Sequence, residues 1–300
     1  MTDQPTVVCV MLVNGRPEMT RRAIASFRAQ TYERKRLLIY DTSEDTVAYN
    51  CAIFRRNEAD LQDDIEVSLD DELITVIESC ANNLHCARKT IGYLRNCANR
   101  AAIESGADLI AHWDSDDWSH PRRLEEQVAL IESSGKMCVG YRELLFWDTR
   151  NESRKTVPTG EEIPGPLGMH PVFGFAPGEA WLYHNPEPRW ATGASFLYRR
   201  ELWEQQPFND APHEDQRWRC TPLVSRNCVG VSSVWTSPPS ELTVQSPIYP
   251  FDQPLDEPRM IAEIHGGNTE DITPEILATS PQWKRAADYD EYCAEVMRCA

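Results

Sequence analysis

Seven consecutive apolar residues, VVCVMLV at 7–13, form the first clear pattern in the chain. An unbroken apolar run of this length suits a strand buried on both faces, as in a parallel sheet. Asn14-Gly15-Arg16 then reads as a loop, and Pro17 takes the favoured first position of a helix with Ala23, Ile24 and Phe27 on one side. RLLIYD (36–41) is the second strand and runs into the polar turn TSED. Residues 58–72 carry eight acids and no base, the composition of a solvated loop or insertion. ELITVIES (72–79) reads as the third strand. Ile91, Leu94, Ala98 and Ala101 recur at three- and four-residue steps, which predicts an amphipathic helix ended by Gly106. ADLIAHW (107–113) is the fourth strand. A helix follows from Pro121 to about Ser134, with Leu124, Val128 and Ile131 inward and Gly135 as its stop.

Four strands with intervening helices indicate an α/β fold with a mostly parallel central sheet. Ligands in such sheets bind outside the carboxyl ends of the strands. The second half has a different pattern. MCVGYRELLFWD (137–148) suggests two short strands, and residues 156–190 are so rich in Pro and Gly that they predict no regular structure. A loop of that length inside a compact domain is usually mobile or functional. ATGASFLYRRELWEQ (191–205) returns to strand and then helix, and the C-terminal stretch reads as a helix on the outside. The chain thus divides into 1–136, 137–270 and a helical tail at 271–300.

The fourth strand ends in HWDSDDWSHP (112–121), with three carboxylates in four positions. Carboxylates so close repel one another, so the cluster calls for a positive partner. Hard cations such as Mg²⁺ and Mn²⁺ take oxygen ligands, commonly one or two carboxylates plus substrate phosphates. Asp114, Asp116 and Asp117 offer that arrangement. A calcium-binding helix-loop-helix does not fit, because Trp118 and Ser119 stand at its fifth and sixth positions and Pro121 opens a helix inside the would-be loop. Asp41 ends another strand, where a carboxylate can read a base or ribose. Arg95 and Asn96 lie on the helix before strand four and can approach the same sheet end. His213-Glu214-Asp215 can supply a general base, and His265 lies in HGGN, where glycines let backbone approach a ligand closely. Trp181, Trp190 and Trp218 suit core packing better than a ligand-stacking role.

Composition narrows the field. With 300 residues, 41% hydrophobic and 26% charged, the chain is an ordinary globular protein. Its net charge of -17 argues against a protein that holds nucleic acid by the phosphates. No apolar run reaches the ~18 residues a spanning helix needs, and the first residues lack a basic n-region before an apolar core. The expectation is therefore a cytoplasmic protein. The ten cysteines include no CxxC pair and read as reduced core thiols. Cys80, His85, Cys86 and Cys97 lack the spacing of a standard zinc site.

In order and spacing, five segments resemble the family 2 glycosyltransferases, inverting enzymes of the GT-A fold. VVCVMLVNGRPEMTRRAIASFRAQTYERKRLLIYDTSED resembles that family's first strand, helix and second strand. RNCANRAA resembles its Arg-Asn helix, AHWDSDDWSHP its metal-binding Asp-x-Asp motif, HEDQRW the acidic motif that supplies the base, and IHGGNTE its C-terminal His-x-x-Asn segment. The resemblance covers roughly residues 5–270. YDTS keeps only Asp41 of the family's frequent DDGS. Gln216, Arg217 and Trp218 are contiguous rather than spaced as in processive members.

The resemblance implies a non-processive enzyme that moves one sugar from a nucleotide sugar, most simply a UDP-sugar, to an acceptor hydroxyl. It implies that Asp41 contacts the base and Asp114 the ribose or sugar, with Val13, Asn14, Arg95 and Asn96 also on the donor side. Asp116 would be the principal ligand of Mn²⁺ or Mg²⁺, Asp117 would hold the sugar or the metal's water, and His265 would complete the metal or pyrophosphate contacts. Asp215, with Glu214 as alternative, would take the acceptor proton. The acceptor is left open among glycan, lipid-linked glycan, protein and small molecule, with segment 156–190 as its lid. Two rival readings share the architecture: a sugar-nucleotide pyrophosphorylase, for which Asn14-Gly15-Arg16-Pro17 is too short a loop, and a binding module without turnover.

Overall fold

The computed structural model describes residues 4–43, 73–78, 90–150, 156–165, 168–175, 178–187, 189–211, 213–233, 257–265 and 272–299. The acidic stretch at 58–72, the cysteines at 80 and 86, and the glycines after His265 lie outside the described residues.

The apolar run forms β1 (Val7–Val13), flanked in parallel by β2 (Lys35–Asp41) and β4 (Leu109–His112). β3 (Ile74–Glu78) pairs in parallel outside β2. Both faces of β1 are buried, Cys9 and Met11 toward one cluster and Val8 and Val10 toward the other. Helix α1 (Pro17–Arg28) opens on its proline and buries Ala23, Ile24 and Phe27. Helix α2 (Ile91–Glu104) is capped by Thr90, whose side chain accepts from Tyr93 N at 3.2 Å. Helix α3 (Arg123–Ser134) begins two residues after Pro121 and ends at Gly135, which adopts the left-handed conformation that glycine tolerates. Leu124, Val128 and Ile131 face inward as expected.

The α2 stripe departs from its apolar pattern. Its buried residues are Gly92, Arg95, Ala98, Asn99 and Ala102, one step round from the stripe through Ile91, Leu94 and Ala101. Two polar residues turn inward because both find buried partners: Arg95 two carboxylates, and Asn99 the Tyr198 hydroxyl at 2.8 Å.

The second half is more regular than its composition predicts. Residues 137–148 form one long strand, β6 (Cys138–Asp148), not two. Its first half lies between antiparallel β10 (Leu197–Arg199) and parallel β11 (Cys228–Ser232). Its second half lies between β9 (Glu179–His184) and β12 (Met260–Ile264). A strand with new partners at each end needs no break in its own backbone. Segment 156–190 likewise contains β7 (Thr156–Gly165) paired with β8 (Gly168–Phe175), followed by β9. Each strand of a two-stranded ribbon has one free edge, so Pro158, Pro164 and Pro171 are tolerated there despite their missing N–H.

The tail is not purely helical. β13 (Trp283–Arg285) adds to β9 as an antiparallel edge strand of the 11-stranded sheet. Among the described residues four further short helices follow: α4 (Arg200–Gln205), α5 (Glu214–Arg219), α6 (Pro222–Asn227) and α7 (Pro274–Thr279). The last helix, α8 (Asp290–Cys299), buries Cys293, Ala294 and Met297 against Leu145, Trp147 and Ile261. Among the described residues the cysteines are free thiols, and no helix is long and apolar enough to cross a membrane.

Candidate functional site

The aspartates gather at the carboxyl end of the parallel strands. Val13 and Asp41 are register partners at the ends of β1 and β2, both buried, and the Asp41 carboxylate accepts from Ser43 N at 2.8 Å. Asn14 is exposed beside them. Asp114, Asp116 and Asp117 leave β4 in a tight turn, with Asp117 N donating to Asp114 O at 3.4 Å. The chain then enters β5 (Trp118–Ser119), which pairs antiparallel with β12. That pairing carries His265, the residue after β12, onto the turn.

His265 Nε2 lies 2.8 Å from Asp116 Oδ2, and Arg16 Nη1 lies 2.6 Å from that nitrogen and 3.1 Å from that oxygen. Burial raises the Asp116 carboxyl, but the His265 contact and the Arg16 charge outweigh it and leave the pKa below the ordinary value. Asp117 is opposite in character. Burial, then the charges of Asp116 and Asp114, push it well above the carboxylate range, while its Oδ1 accepts from Glu263 N at 3.2 Å. Asp114 is also raised, by burial and by Asp116, against the pull of Arg95.

Arg95 joins the two halves of the site. Its Nη2 donates to Asp114 Oδ1 at 3.5 Å and its Nε to Glu214 Oε1 at 3.2 Å. Its Nη1 is buried with no protein partner among the described residues. Glu214 is buried and raised in pKa, chiefly by burial, with Arg95 pulling the other way. Asp215 is half-buried and lies against the backbone of Gly193, where an added Cβ would overlap its carboxylate. His213, just before α5, has φ of 55°, and such a left-handed backbone in a non-glycine residue clusters at functional sites.

Gly193 is itself fixed by a buried chain. Asn99 donates to the Tyr198 hydroxyl, which bonds His112 Nε2 at 3.3 Å, and His112 Nδ1 donates to Gly193 O at 2.7 Å. Burial, then the charge of Arg95, push His112 well below its ordinary pKa, so the ring is neutral and its Nδ1 carries the proton the carbonyl needs.

Asn96 goes elsewhere. Its Nδ2 donates to Phe208 O at 2.8 Å and its Oδ1 accepts from Trp203 Nε1 and Phe208 N, so it clamps the 203–208 turn and is not part of the carboxylate group. Trp218 is fully buried in the aromatic core, and Trp190 stacks on Arg219. Sequence reasoning overlooked three arginines that hold the turn. Arg16 touches Asp116 and His265, and Arg22 on α1 bonds Asp116 O at 2.8 Å, Glu263 and Met297 O. Arg123 bonds Ser119 Oγ, His112 O and Ala194 O. A loop or helix arginine carries no sequence pattern of its own; the acidic run opposite was the available signal.

Among the described residues no group of three or more His, Cys, Asp or Glu is placed to hold a metal alone. Asp116 and His265 nevertheless suit two corners of a divalent site. Neighbouring ligands on an octahedron with bonds of about 2.1 Å lie about 3 Å apart, close to the 2.8 Å between Nε2 and Oδ2. A site with two protein donors leaves its other positions to substrate oxygens and water, as is usual for Mg²⁺-type cations.

No protein-family model matches the sequence, and no curated protein sequence does either. Solved structures do. The crystal structure of S. aureus TarS 1-349 in complex with UDP-GlcNAc is 13% identical with a TM-score of 0.51, over 88% of this chain and 60% of that one. Mannosyltransferase PcManGT from Pyrobaculum calidifontis, in complex with GDP-Man and Mn²⁺, is 14% identical with a TM-score of 0.48, over 77% of this chain and 55% of that one. The chain therefore spans less than two thirds of the length of either. The TarS likeness shows the fold: this is the GT-A architecture, a central sheet flanked by helices.

Proposed function

We propose that the protein is a metal-dependent, inverting glycosyltransferase of the family 2 type that transfers one sugar from a UDP-sugar to an acceptor hydroxyl. The observation that carries this reading is the convergence of three acidic elements at the carboxyl ends of the parallel strands: Asp41 at the end of β2, Asp114–Asp117 after β4, and Glu214-Asp215 on α5, bridged to Asp114 by Arg95. The likeness to a structure that holds UDP-GlcNAc supports a nucleotide-sugar donor.

In this reading Asp41, with Val13 and Asn14, faces the base and ribose, and Asp114 faces the ribose or sugar. Asp116 and His265 would hold the cation, which would supply charge neutralisation for the departing diphosphate. A carboxylate–imidazole pair favours Mn²⁺ over Mg²⁺, whose preference is for oxygen. Among the described residues Arg95 Nη1 has no partner, which leaves a buried N–H available to a donor oxygen beside Asp114. Asp215 takes the proton from the acceptor hydroxyl as that oxygen bonds to the anomeric carbon, and the bond to the diphosphate breaks with its electron pair leaving on the diphosphate. A single displacement inverts the centre. Glu214 is buried and ion-paired, so it positions α5 while the less buried Asp215 acts as base.

Asp215→Asn tests the assignment: it should abolish sugar transfer while UDP still binds with Mn²⁺. Turnover at the wild-type rate would contradict it. A binding module without turnover would show no transfer to lose.

A further inference from the structure

We infer that Arg16 is a resident cation that holds the metal position between Asp116 and His265 in the metal-free protein and gives it up when metal and donor bind, so that the two load together. The inference rests on the proposed function and adds to it a residue that governs the order of binding.

The three atoms form a triangle: Arg16 Nη1 to His265 Nε2 at 2.6 Å, Arg16 Nη1 to Asp116 Oδ2 at 3.1 Å, and Nε2 to Oδ2 at 2.8 Å. All three contacts cannot be hydrogen bonds at once. If Nε2 carries a proton for Asp116, the guanidinium faces another N–H donor at close range. If Nε2 is bare, its lone pair and that of Oδ2 both point at the guanidinium, and every contact with the cation is attractive. The second arrangement is two metal-competent donors converging on a positive charge, which is the electrostatic pattern of a cation site with an arginine in it.

Arg16 is also the arginine best able to leave. Its side chain is 32% exposed, on a loop that follows Gly15 at φ of 67°. Among the described residues its guanidinium bonds only Asp116 and His265. Arg22, Arg95 and Arg123 are buried or nearly so, and each is tied to further partners that would be stranded if it moved. Asp116 is ion-paired with Arg16 and only 15% exposed at its side chain, so removing Arg16 without a replacement leaves that carboxylate without its cation and is unfavourable. A divalent cation supplies the replacement, and a diphosphate gives the displaced planar guanidinium a bidentate partner. Metal alone must compete with Arg16, and its apparent affinity is reduced by the fraction of sites that Arg16 leaves open. Donor binding relieves that competition, and linkage makes the effect reciprocal.

The test is Mn²⁺ binding to the full chain, read from the paramagnetic resonance signal of free aquo Mn²⁺, with and without UDP. The proteins are wild type, Arg16→Ala, Arg16→Lys and Asp116→Ala. Arg16→Ala should bind Mn²⁺ alone at least tenfold more tightly than wild type, Arg16→Lys should stay near wild type, and UDP should tighten Mn²⁺ binding by a smaller factor in Arg16→Ala. If Arg16→Ala binds Mn²⁺ alone no better than wild type while Asp116→Ala abolishes binding, the metal site stands and the role of Arg16 is overturned. If none of the proteins binds Mn²⁺ even with UDP, or Asp116→Ala binds it as wild type does, the metal site and this inference fall together.

Discussion

Gly193 leaves open the space that the Asp215 carboxylate fills, so a side chain at 193 and the carboxylate cannot both keep their places. The glycine is needed for close approach rather than for an unusual backbone angle. Asn99, Tyr198 and His112 lock its carbonyl from below.

Gly193→Ala should therefore displace Asp215 and lower turnover, by on the order of 10²-fold for a shift of about 1 Å. UDP affinity should not change, because the donor side is untouched. Steady-state kinetics alongside nucleotide titration checks this; equal losses in both would mean a general collapse instead.

Arg95→Ala should destabilise the fold. Arg95 and Glu214 are 6% and 5% exposed at their side chains, and removing one partner of a buried pair costs about 3–5 kcal/mol. Denaturant unfolding measures the loss. The double variant Arg95→Met with Glu214→Gln should recover part of it, because the more deeply buried carboxylate, Glu214, is then no longer left without its cation, while Asp114, 30% exposed at its side chain, still loses Arg95.

Much of this was legible in the sequence. The continuous apolar runs of β1, β2 and β4, the prolines at or just before the start of α1 and α3 and the glycine that ends α3 stand out because each element's signal is local. The acidic turn also stands out, since three aspartates at a strand end have few structural explanations. What could not be read depends on distant partners. β6 looks like two strands because its neighbours change midway. The inward face of α2 is misjudged because Arg95 and Asn99 are buried by partners on the turn after β4, on β10 and on α5. His265 could be suspected from its motif, but its place beside Asp116 depends on the β5–β12 pairing, and Asn96 gave no hint that Trp203 and Phe208 would claim it.

The raised pKa of Asp117 makes stability depend on pH in a defined sense. A carboxyl whose folded pKa lies above its unfolded value binds more protons in the folded state, so stability falls as pH rises from the unfolded value through the folded one. In metal-free buffer, Asp117→Asn keeps an acceptor for Glu263 N and removes the buried charge. It should raise the melting temperature at pH 8, with the gain shrinking as pH falls toward 4. Thermal melts across that range check the sign; a variant less stable than wild type at pH 8 would contradict it.

The most direct measurement is calorimetric titration of UDP, with GDP and dTDP as comparators, into wild type and Asp116→Ala, with and without Mn²⁺. The account predicts tight UDP binding that requires both the metal and Asp116. No binding of any nucleotide, or binding indifferent to Mn²⁺ and to the substitution, would contradict it.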